Sequence, residues 1–212
     1  MGGGGALSSL KMIAALFVER GGCYYGLEDV DPWPLERDAR LYAGPWPVVC
    51  HSPCSRWCQL AGLVQARWGH KKGDDGGCFA SALESVRKWG GVLEHPAYSR
   101  AWDAYGLPKP KTGGWHRELW GDGAVAHVEQ IHYGHRARKA TWLYAVAPVL
   151  PRLRWARARD GDGAALVSWC GYSKTATEAR ARISKKAASA SPLEFRDVLL
   201  DIARSVTAET TQ

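Results

Sequence analysis

The run from Gly77 to Pro96 constrains the fold most. Phe79, Leu83 and Val86 recur at helical spacing, so 77–89 reads as an amphipathic helix. Gly90-Gly91 stops that helix, and Val92-Leu93 starts an apolar strand that ends at Glu94-His95-Pro96. Upstream, Trp46-Pro47-Val48-Val49-Cys50 is another short apolar run, closed by Ser52-Pro53-Cys54. Strand, helix, strand in that order predicts a parallel pair, the building unit of an α/β protein.

Further elements extend the pattern. Met12 to Val18 reads as a first buried strand, broken by Arg20-Gly21-Gly22. Glu28 to Trp33 reads as a short edge strand or loop carrying acids, and Leu35 to Tyr42 as one or two helical turns. Gln65 to Gly77 is polar and glycine-rich and reads as a mobile loop, as does Pro108 to Gly123. Ala124 to Gln130 suits a strand or a helical turn, and Thr141 to Val146 is the last central strand. The ranges predicted are a glycine-rich tail over 1–10, an α/β core over 11–150, and a basic, irregular segment over 151–190. That segment has a candidate edge strand at 165–169. A final helix over 191–212 packs on the core, with Ser191 as N-cap, Pro192 at its first position and Glu194 completing a capping box.

The chain has 212 residues and a net charge of +7, a balance that suits a polyanionic partner. Its eleven tryptophans serve core and loop packing or stack on exposed bases. The six cysteines are scattered in a chain too large to need disulfide staples. No apolar stretch has membrane-spanning length, and Met1 to Gly5 lacks the basic start of a secretory signal. The expectation is a cytoplasmic protein with free thiols and no membrane partner. Cys50, His51, Cys54 and Cys58 raise a metal alternative, but the three sulfurs share one face only in a helix, which Pro53 opposes, so no metal is assigned.

Four blocks carry candidate chemistry. Cys54 at a strand end is a candidate nucleophile, with Arg56 nearby to lower its pKa. Glu94, at the end of a parallel strand, faces the crevice where open α/β sheets bind ligands. The glycine turn after the first strand, with Asp29 or Asp31 beyond it, suits a cofactor held through its ribose. His132, His135, Arg136, Arg138 and Lys139 form a basic knot, suited to phosphate or base contacts or to a solvated surface.

In order, these blocks resemble the motifs of the DNA cytosine-5 methyltransferase family. Leu16-Phe17 with Gly21-Gly22 is similar to the cofactor motif, and Asp29-Val30-Asp31 falls at the ribose-binding acid. Pro53-Cys54 resembles the catalytic loop, Leu93-Glu94-His95 the Glu-Asn-Val motif, and Arg136-Ala137-Arg138 the Gln-x-Arg-x-Arg motif. Ser55, His95-Pro96 and Gly134 depart from those patterns. The resemblance implies a Rossmann-like methyltransferase fold, a mostly parallel sheet flanked by helices. It also implies S-adenosylmethionine held by Phe17, Gly21, Gly22, Asp29 and Asp31. Catalysis would fall to Cys54, Glu94, Arg136 and Arg138, and substrate contacts to Ser52, Pro53, Arg56, His95 and His135. The substrate is then cytosine in DNA, in a duplex, a single strand or a free nucleotide, with a partner subunit supplying target recognition. Three other readings compete: a non-catalytic nucleic-acid-binding protein, a related pyrimidine-modifying enzyme, and a zinc-stabilised domain.

Overall fold

A computed structural model describes residues 12–58, 61–156, 165–166, 181–182 and 184–209. The glycine-rich start and residues 167–169 of the candidate edge strand lie outside these. Four strands run parallel: β1 (Ile13–Leu16), β2 (Val30–Trp33), β3 (Val48–Cys50) and β4 (Gly91–Pro96). They are joined by β5 (His116–Arg117), β6 (Ala124–Glu129) and β7 (Ala140–Val146) in one seven-stranded sheet of order β2-β1-β3-β4-β7-β6-β5.

The predicted mostly parallel sheet holds only for its first half. β7 pairs antiparallel with β4 and β6, and β5 pairs antiparallel with β6. The reversal follows from a short connection. A 3-10 turn, Gln130–Tyr133, and an extended segment join β6 to β7, too little chain for a crossover helix. Ala124 to Glu129 is therefore a strand. Ala165-Leu166 forms β8 and pairs with β9 (Ala181–Arg182) in a separate two-stranded sheet, so it adds no edge to the main one.

The two faces of the sheet have different covers. On one lie α2 (Cys78–Trp89) and α3 (Arg100–Ala104), where Phe79, Leu83, Val86 and Trp102 pack on Leu16, Cys50, Leu93 and Trp142. α1 (Ala61–Trp68) takes up part of the segment expected to be a loop. α4 (Lys185–Ser189) and α5 (Leu193–Glu209) come late in the chain. Phe195, Leu199, Leu200 and Ile202 of α5 pack on Ile13, Ala15, Val49, Val92 and Leu143 of the opposite face. The link from β1 to β2 contains turns and no helix. α5 thus supplies the layer that a β1–β2 crossover helix would otherwise form.

β1 feeds β2 on one side and β3 lies on the other, so the sheet has a switch point between β1 and β3. The crevice beyond the C-terminal ends of strands at such a point is where open α/β sheets take ligands. Phe17 stands at this place with a left-handed backbone, φ 59°, a conformation that bulky residues adopt only under constraint.

Candidate functional site

Cys54 follows β3 in a turn anchored by Trp57. The Trp57 amide donates to the Cys54 carbonyl, and the Arg100 amide donates to the Trp57 carbonyl. The buried indole packs against Phe79 and Tyr105, and its Nε1 donates to Asp75 Oδ2 at 2.7 Å. The same Asp75 oxygen accepts the Phe79 amide at the start of α2. One carboxylate thus fixes both the thiol turn and the helix beneath it.

The Cys54 residue is exposed, yet the protein around its thiol raises the pKa, with a further rise from the Glu94 charge. Arg56 is not among the main charges that shift it. Lys139 lowers the Cys54 pKa only slightly by comparison.

Strand alternation puts Val92 and Glu94 on the α5 face and Leu93 and His95 on the α2 face. Glu94 is buried, with side-chain exposure of 7%. Burial pushes its pKa up. The hydrogen bond from His51 and the charges of Lys139, His51 and His95 outweigh that and bring it down to about 2. An ionised carboxylate only accepts, so His51 Nδ1, 3.0 Å from Glu94 Oε2, carries the proton. His51 Nε2 then accepts from the Tyr24 hydroxyl at 2.8 Å. Gln130 Nε2 donates to Glu94 Oε1 at 3.1 Å and lies 2.9 Å from Thr141 Oγ1. A chain Tyr24–His51–Glu94–Gln130–Thr141 therefore lines the α5 side of the crevice.

His95 turns the other way, into Phe79 and Trp102, and burial holds its pKa down to about 4. On the Glu94 side, Gln130 Oε1 is buried without a hydrogen-bond partner, as is Ser52 Oγ at the end of β3. Buried polar atoms left unsatisfied at strand ends are places where a polar ligand can bind.

Not every predicted residue joins this cluster. Ser52, Pro53, Cys54, Glu94 and His95 share the ends of β3 and β4. Arg138 instead lies 3.5 Å from Glu129, whose carboxylate also faces His127. Arg136 is exposed and makes no ion pair among the described residues. His135 is buried and ties its segment to α4 through the Ala187 carbonyl, with burial lowering its pKa, so it presents no free ring to a substrate. Lys139, directly before β7, is the lysine whose charge reaches Glu94.

The cofactor positions also divide. Gly21 has φ 67° and nothing within 4 Å of where a Cβ would stand, so its backbone is approachable. Gly22 turns tightly under Glu19. Phe17 stands with them beside the switch point. Asp31 lies within β2, its oxygens bound by Arg37 and the Trp33 indole; the Arg37 pair is half-exposed and so easily rearranged. Asp29 does not fit. It precedes β2, at the end of the sheet away from Cys54, and Arg204 of α5 holds its carboxylate.

The sequence marks His51 only as a neighbour of Cys50, Cys54 and Cys58 in a metal alternative, and no motif assigns a site role to Tyr24, Gln130, Trp57 or Asp75. Among the described residues no group of three or more metal-ligating side chains converges, and no helix is long and apolar enough to cross a membrane. No protein-family model matches the sequence, and no curated protein matches it.

Proposed function

We propose that this chain is an S-adenosylmethionine-dependent methyltransferase acting on C5 of cytosine in DNA through a Cys54 thiolate, on a Rossmann-like fold. One juxtaposition supports the reading. Cys54 lies in the turn after β3 and Glu94 within the neighbouring parallel strand β4, close enough that the Glu94 charge raises the Cys54 pKa.

The chemistry follows from that pair. Glu94 accepts a hydrogen bond from the cytosine amino group, which draws its charge away from the thiol and favours the thiolate. The sulfur adds to C6, and the C5–C6 π electrons make C5 nucleophilic. S-adenosylmethionine, when bound, supplies an electrophilic methyl, and Phe17, Gly21, Gly22 and Asp31 are the residues that would hold it. After C5 takes the methyl, its proton leaves to solvent or a base, the C5–C6 double bond re-forms, and the C6–S bond breaks to release Cys54. The ring pairing of Glu94 with His51 and Gln130 keeps the acid aimed throughout. Arg136, exposed and without an ion pair among the described residues, is the better phosphate contact, since Arg138 is engaged by Glu129.

A second reading, a nucleic-acid-binding protein on this scaffold, is favoured by one observation: the resting thiol is raised in pKa and not lowered. Nucleoside mass spectrometry separates the two. DNA from cells expressing the wild type should carry a methyl on cytosine that Cys54→Ala abolishes. A folded wild type that leaves duplex, single-stranded and free cytosine nucleotides unchanged overturns the methyltransferase reading.

A further inference from the structure

A groove of about 480 Å³ is lined by His132, Arg152, Leu153, Arg154, Trp155 and Ala156. It is reached from the site through one short turn: the Gln130 amide touches Glu94, and His132 is two residues further along.

The groove has fixed and free parts. Arg154 is locked, donating to the His132 carbonyl and to Glu194 while its guanidinium sits 5.0 Å over the Tyr133 ring. Trp155 is half-buried and braced edge-on by Trp115, at 6.4 Å and 90°. The Trp115 indole in turn donates to the Pro151 carbonyl at 2.8 Å, pinning the backbone next to Arg152. Arg152 is exposed and has no ion-pair partner among the described residues. His132 Nε2 is buried without a partner.

A held aromatic ring and an exposed guanidinium with no ion pair among the described residues make a small platform for one nucleotide. The ring stacks a base and the cation meets its phosphate. A duplex keeps its base faces stacked, so a lone ring at a groove edge selects an unpaired base. We propose that this groove binds single-stranded nucleic acid at the nucleotide flanking the target cytosine. The inference deepens the methyltransferase reading by naming how the substrate strand is held, and it rests on that reading only for which base lies at Glu94.

The test is fluorescence anisotropy of a labelled cytosine-containing single-stranded oligodeoxynucleotide with the full chain, across salt concentrations and without a methyl donor. Arg152→Ala should weaken binding several-fold and reduce the log–log salt slope by about 0.7, the share of one phosphate contact on a single strand. Trp155→Ala should weaken it roughly tenfold with the slope unchanged. Because Trp155 also packs on the core, Arg152→Glu at a fully surface position serves as the second variant, and should weaken binding more than Arg152→Ala. Arg67→Ala, on the exposed face of α1, should bind as the wild type does. Equal binding by all variants, equal loss in Arg67→Ala, tighter binding of the matching duplex, or equal competition by polyglutamate each overturns the proposal. Binding that depends on the groove in a protein that methylates nothing sinks the enzyme reading and leaves the groove standing.

Discussion

Glu94 is an acid shut away from water that stays charged because two side chains donate to it. Losing either donor leaves a buried charge under-satisfied. His51→Ala is expected to raise the Glu94 pKa from about 2 and to cost about 1–3 kcal/mol of stability. Carboxyl-carbon NMR titration reads the first effect and urea unfolding the second; an unmoved Glu94 titration would count against the network. His95 sets a pH dependence of its own. Its folded pKa is about 4 against an ordinary 6.5, so the unfolded chain takes up the proton first as pH falls. Its stabilising contribution is whole above pH 6.5 and is lost on the way down to pH 4, by roughly 1.4 kcal/mol per pH unit. His135 is shifted in the same direction, and Glu94 adds its loss only below about pH 4.5. His95→Phe, which keeps a ring against Phe79 and Trp102, should flatten the slope between pH 6.5 and 4; an unchanged slope would assign it elsewhere. Cys54 and Glu94 were legible in the sequence because each ends an apolar strand. Tyr24, His51 and Gln130 were not, because they stand 27, 43 and 36 residues from the partners they meet, and only the folded sheet joins them.

Elements obey tighter rules than composition suggests. Gly91 opens β4 with φ 113°, and a Cβ there would sit 1.9 Å from the Val48 carbonyl of β3. Gly91→Ala is expected to cost about 3 kcal/mol or more, through strain and a backbone clash that no rotamer relieves. Gly69→Ala, also at positive φ but with open space around it, should cost only about 1 kcal/mol. Thermal melts of the two variants measure the contrast, and equal shifts would show that the β3–β4 contact yields. The helix over 78–89 and its glycine stop were readable from periodicity. α1 was not, because its apolar residues do not gather on one buried face: Leu63 and Trp68 are exposed, and no amphipathic rhythm can be read. The direction of β7 was hidden for another reason. An apolar strand reads the same whether it runs parallel or antiparallel, and only the length of the link before it decides. Glu194, expected to close a capping box, is instead taken by Arg154, a partner that spacing along the helix cannot reveal.

At the scale of the whole molecule, the sheet, its switch point and the two covering layers bring the ends of β1, β3 and β4 to one crevice. The α/β class was legible from strand and helix order. The identity of the second layer was not, since the missing β1–β2 crossover gives no sign of what replaces it. That replacement orders events during synthesis. Arg196 of α5 donates to the Cys23 carbonyl 173 residues upstream. At ribosomal speeds, β1 waits on the order of ten seconds or more before the helix that covers it exists. Through that interval one apolar side of the sheet has no roof, and the crevice has only half its wall. The site is therefore complete only once α5 has been made and laid across β1.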